Sequence, residues 1–93
     1  MERIEMDLNV TKSLLKEINM SETMISSILM SGDFELYKFH LIEQTKRINI
    51  LISLQKKINN ELYDASEEVK EEVKTLNKEI DLVLKNSNGV PQE

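Results

Sequence analysis

The chain has 93 residues, 40% of them hydrophobic and 31% charged, with 17 acidic against 12 basic residues and a net charge of −5. That size fits one small domain; the apolar share is too high for intrinsic disorder, the charge too high for a membrane protein, and the acidic balance lacks the basic face that neutralises phosphates, so no nucleic-acid partner is expected. Two glycines and one proline leave too little turn punctuation for a sandwich or barrel, and 4% aromatics leave the core to Ile, Leu, Val and Met. The composition predicts an all-α protein.

Along the chain, Met1-Glu2-Arg3-Ile4-Glu5-Met6-Asp7 opens without a basic segment followed by an apolar run, so no signal peptide is expected. A first helix follows near 3–30. Its apolar residues Ile4, Leu8, Leu15, Ile18, Ile25 and Leu29 keep the 4-3 rhythm of a coiled-coil seam, with Thr11 and Glu22 as polar exceptions. Ser31-Gly32-Asp33 ends it: Gly32 suits the left-handed residue after a helix, and Asp33 the cap of the next.

The second helix is expected over 33–61, with a seam of Phe34, Tyr37, Leu41, Ile48, Leu51, Ile58 and Leu62 interrupted by Gln44 and Gln55. Those glutamines either fix the register of the helices or lie at the edge of the seam. Asp64 with Glu67 three residues on resembles a capping box for a third helix over 65–86, whose seam is Val69, Val73, Leu76, Ile80 and Val83. Glu67–Lys70, Glu71–Lys74 and Asp81–Lys85 fall at spacings that pair charges along a solvated face. Gly89 and Pro91 punctuate the end. Short connections make neighbouring helices antiparallel, so the chain reads as an up-down-up three-helix bundle with coiled-coil-like packing: a single helical domain over 1–86 and a flexible tail over 87–93. The alternative is a long hairpin of the first two helices, with the third paired to another chain.

Helix 2 carries more apolar surface than one seam uses. Leu36, Phe39, Ile50 and Leu54 cluster about 160–180° from the seam at ~100° per residue, and on helix 1 Met6, Met20 and Met24 lie together opposite Ile4, Leu15 and Leu29. Leu36, Phe39, Ile50, Leu54, Met20 and Met24 are therefore the candidate partner-binding residues. Unbranched Met suits a surface that adapts to different partner shapes, and an amphipathic partner helix is the natural occupant.

Catalytic chemistry is missing. His40 is the single histidine, cysteine is absent, and Glu67/Glu71 and Glu68/Glu72 have lysine interleaved and no histidine near them. No glycine-rich phosphate loop or nucleophile constellation occurs. The expectation is a cytoplasmic protein that is not an enzyme and has no metal or other cofactor.

The stretch from Ser21 to Leu36 reads as a helix, a small-residue turn and Gly32-Asp33-Phe34-Glu35-Leu36, continuing through Leu41-Ile42-Glu43-Gln44 into a second long helix. It resembles the FliT-type flagellar export chaperones, whose turn commonly runs Gly-acid-Trp-acid; FlgN-type chaperones share the scheme. Phe34 stands where Trp is common. The resemblance implies a cytoplasmic chaperone that holds a terminal helix of a late flagellar export substrate, such as a filament-cap or hook-junction protein, and prevents premature assembly. It also implies a short form with an open groove, since no fourth helix follows before Glu93. The other readings are a self-assembling homodimeric bundle, a small regulator that sequesters another protein, and a secreted helical hairpin of the WXG type, although Leu29-Met30-Ser31-Gly32 lacks that family's Trp.

Overall fold

The computed structural model describes residues 3–86; the expected tail over 87–93 lies outside them. Three helices form an up-down-up bundle 49 Å long: α1 (Arg3–Ser31), α2 (Phe34–Glu61) and α3 (Glu67–Asn86), with a short 3-10 turn at Leu62–Asp64 before α3. The all-α three-helix fold read from the sequence is the observed one.

The α1–α2 turn forms by the expected local chemistry. Gly32 takes φ 84°, a left-handed conformation that costs an L side chain energy and glycine almost none. Its N–H donates to the Leu29 carbonyl at 3.2 Å, closing the end of α1. Asp33 Oδ1 accepts from the Leu36 N–H at 3.2 Å, satisfying one of the orphan donors of α2. The start of α3 differs from expectation. Asp64 is held in the 3-10 turn, where the Ala65 N–H reaches back to the Leu62 carbonyl at 2.9 Å, and α3 begins two residues later than the capping-box pattern suggests. Ser66 caps it instead, its hydroxyl accepting from the Val69 N–H at 3.3 Å.

The core is Ile4, Leu8, Leu15 and Ile18 from α1, Ile48, Leu51 and Ile58 from α2, and Val69, Val73, Leu76 and Ile80 from α3. All eleven lie on the expected seams. The polar interruptions are satisfied. Thr11 is fully buried, and its hydroxyl donates to the Asp7 carbonyl at 2.7 Å. Gln44, also buried, donates from Nε2 to the Ile18 carbonyl at 3.0 Å and accepts from the Arg47 guanidinium at 2.9 Å. A buried amide with both ends paired fixes how far α2 slides along α1, because any other register strands it. Between α2 and α3, Gln55 donates to Asn77 Oδ1 at 3.1 Å and Asn77 donates on to Asn59 Oδ1 at 3.2 Å. Both glutamines thus act on helix register. The pairs Lys70–Glu67 at 3.9 Å and Lys74–Glu71 at 3.5 Å decorate the exposed side of α3.

The core stops well short of the α1–α2 turn. Leu82 and Val83, in the last turns of α3, share a cleft with Leu15, Asn19 and Glu22 of α1. From Glu22, α1 continues nine residues to Ser31, about 14 Å at ~1.5 Å per residue. α3 is described only to Asn86, about 6 Å beyond Leu82 at ~1.5 Å per residue, so among the described residues the far part of that stretch is α1 and α2 alone. Seam positions there are not core: Ile25, Tyr37 and Leu41 are half-buried, while Leu29 and Phe34 are exposed. The helical rhythm continues through the tip, and among the described residues no third helix buries it there.

Candidate partner-binding surface

The two-helix tip, residues 23–42, differs chemically from the rest of the chain. Eleven of its twenty residues are large and apolar, including three of the four aromatics, and only Asp33, Glu35 and Lys38 are charged. Among the described residues, seven of the thirteen exposed large apolar side chains are here: Met24, Leu29, Met30, Phe34, Leu36, Phe39 and Ile42. An apolar concentration of this kind on a small protein marks an interaction surface more often than chance exposure does.

The tip has two apolar sides. One continues the line along which α3 packs, through Leu29, Phe34 (64% exposed) and the half-buried Tyr37 and Leu41. The other carries Leu36 and Phe39, which fall away from that line at ~100° per residue. Phe39 is 57% exposed, and its ring meets His40 edge-on at 5.2 Å. His40 is half-buried beside it rather than freely solvated. The tip's turn is held by local bonds: the Gly32 conformation, the Asp33 side-chain cap and a Ser31 hydroxyl donating to the Ile28 carbonyl at 2.7 Å.

The six candidate residues do not form one patch. Leu36, Phe39 and Met24 are exposed at the tip. Ile50 lies eleven residues further along α2 than Phe39, about 16 Å away, in a shallow groove with Asn9, Val10, Ser13, Leu14 and Glu17 of α1. Leu54 is half-buried, and Met20, 67% exposed, precedes Met24 by one turn of α1. Two ion pairs also join α1 to α2, Arg47–Glu17 at 3.6 Å and Lys57–Asp7 at 3.3 Å. Sequence reasoning missed Val10 and Leu14, although each precedes a seam residue by one position. It also missed the uncovered seam at the tip, for which the signal was the shorter length of α3.

The described residues hold no group of three or more His, Cys, Asp or Glu side chains able to bind a metal ion. No helix among them is long and apolar enough to cross a membrane. No family model matches the chain, and neither a curated protein nor a solved structure matches it.

Proposed function

We propose that this protein is a chaperone or adaptor whose α1–α2 tip binds an amphipathic helix of a protein partner. The observation that carries the reading is the exposed seam. Leu29 and Phe34 continue the apolar seams of α1 and α2 and are nevertheless exposed, and their surroundings carry three charges in twenty residues. A partner helix laid there gains ~25 cal/mol for each Å² of apolar area removed from water, and it finds a pair of helices already in place. The resemblance to FliT-type chaperones rests on Gly32-Asp33-Phe34-Glu35-Leu36, which forms this tip, and it suggests a terminal helix of a late flagellar export substrate as the occupant.

Affinity capture from the native organism's lysate, with the eluate identified by mass spectrometry, tests the reading in the wild type, Phe34→Asp and Phe39→Asp. Both positions are exposed, so both variants keep wild-type helicity and melt within a few degrees of the wild type. Recovery of a filament-cap, hook-junction or other exported helical subunit by the wild type, with loss in Phe34→Asp, places the partner along the line of α3; loss in Phe39→Asp places it on the α2 stripe. Recovery by all three forms alike would defeat the proposal. Recovery of the chain itself alone, with mass rising with concentration, would transfer the tip to self-assembly. A large fall in melting temperature for Phe39→Asp would show that Phe39 supports the fold.

A further inference from the structure

The end of the bundle opposite the tip holds a cluster of charged side chains that partner binding does not use. Asp7 is buried; its Oδ1 accepts from Lys57 Nζ at 3.3 Å, while its Oδ2 is shielded from solvent and meets no donor. Glu61, one helical turn beyond Lys57 on α2, has its Oε1 in the same condition. Lys57 bonds Asp7 and Glu61 follows Lys57 by one turn on the same helix, which brings the two carboxyl groups into each other's neighbourhood, each with one shielded and unpartnered oxygen. Arg3 of α1 approaches from one side, and Arg3, Ile4, Tyr63 and Asp64 line the cleft around Glu61.

Two ionised carboxylates in this position leave two solvent-shielded acceptors without a donor and two like charges near each other. One proton resolves both deficits, because a carboxylic acid donates and the neighbouring carboxylate accepts. Lys57 already bonds Asp7 Oδ1, which makes Asp7 the acceptor and Glu61 the donor. We propose that Asp7 and Glu61 share one proton as an acid–carboxylate pair, a pH-sensitive clasp that fastens the first turns of α1 to the end of α2. The clasp closes immediately before the 3-10 turn that leads into α3, so it also secures the root of the third helix.

Burial raises the Glu61 pKa above its ordinary 4.5, followed by the hydrogen bond to Asp7 and the Asp7 charge, against the opposing influence of Lys57 and Arg3. The folded chain therefore holds this proton more tightly than the unfolded chain does. The stabilisation is fully present below the ordinary carboxyl value and is lost as pH rises through the raised one. The direction is opposite to that of a salt-bridged carboxylate.

Thermal unfolding followed by circular dichroism across the weakly acidic to weakly alkaline range, for wild type and Glu61→Gln, tests the clasp. The side-chain amide introduced by Glu61→Gln donates to Asp7 at every pH. The difference between the two profiles isolates this pair from every group that the two proteins share. The melting temperature of Glu61→Gln relative to wild type is expected to climb by several degrees as pH rises. Parallel profiles would overturn the proposal. If Glu61→Gln does not fold, carbon-detected NMR titration of the wild type decides: a Glu61 carboxyl midpoint above 4.5 that returns to the ordinary range in Asp7→Asn supports the clasp, and an ordinary midpoint in the wild type overturns it.

Discussion

At the closed end of the molecule, Ile4 to Ile18 of α1, Ile48 to Ile58 of α2 and the seam of α3 interlock around eleven buried apolar side chains. At the tip, α1 and α2 keep the same rhythm of apolar residues, yet Leu29 and Phe34 are exposed and Ile25, Tyr37 and Leu41 only half-buried. Aliphatic residue type does not account for the contrast, since Ile and Leu populate both regions. The number of helices does. Two helices shield only the strip between them, and a third encloses the seam. The tip also carries few charges on its outer sides, whereas the exposed side of α3 is dense with them. A region that lacks both cover and charge is suited to contact with another apolar surface, and a partner helix supplies there what α3 supplies at the closed end.

The contrast is sharpest for single large-to-small substitutions. Ile18 is fully buried, packed within the three-helix core, and its carbonyl receives the Gln44 amide. Ile18→Ala is expected to cost about 2–5 kcal/mol through lost burial and the cavity left behind. Against the roughly 5–15 kcal/mol typical of a whole domain, that shifts the urea midpoint markedly or unfolds the chain. A loss under about 1 kcal/mol, within the range of surface substitutions, would show that the closed end is not the structural base of the fold.

Much of this division was legible in the sequence and some was not. The three helices, the Gly32 turn, the Asp33 cap and every buried apolar position follow from spacing and from residues with specific backbone roles. The α3 cap was misplaced because Asp64, Ser66 and Glu67 all offer capping oxygens, and the 3-10 turn at Leu62–Asp64, which decides among them, has no periodic signature of its own. Leu29, Phe34 and Leu41 read as core because periodicity reports which side of a helix is apolar, not whether a neighbour extends far enough to cover it. For the same reason the four helix 2 candidates, Leu36, Phe39, Ile50 and Leu54, read as one stripe. Ile50 falls in a groove against Val10 and Leu14, while Leu36 and Phe39 stand at the tip, and only the pairing of α1 with α2 separates them.

The turn that joins the two helices of the tip gives the next effect in size. Gly32 has φ 84°, and nothing lies within 4 Å of where a Cβ would sit. Gly32→Ala therefore meets no steric obstacle beyond its own backbone. The expected cost is the roughly 1–2 kcal/mol of placing an L residue in the left-handed region, read as a lower urea midpoint with unchanged cooperativity. A neutral result would mean that the turn adopts another conformation in solution. The tip's presentation of Phe34 would then need revision, because Asp33 and Phe34 follow Gly32 directly.

The smallest effect belongs to the tip's own seam, where sequence and structure part company. By periodicity Leu41 is core, and truncation would cost as much as at Ile18. In the fold it is half-buried. Leu41→Ala removes less area from the folded state, and water enters the space it leaves, so the cavity contribution is small. About 1 kcal/mol is expected from partial burial alone. The same substitution made in the presence of a bound partner helix should cost more, since the partner completes the enclosure that α3 leaves unfinished. A loss in the free protein equal to that of Ile18→Ala would mean that the tip is already covered in solution, by a second copy of the chain or by its own rearrangement, and the distinction between a closed end and an open tip would fail.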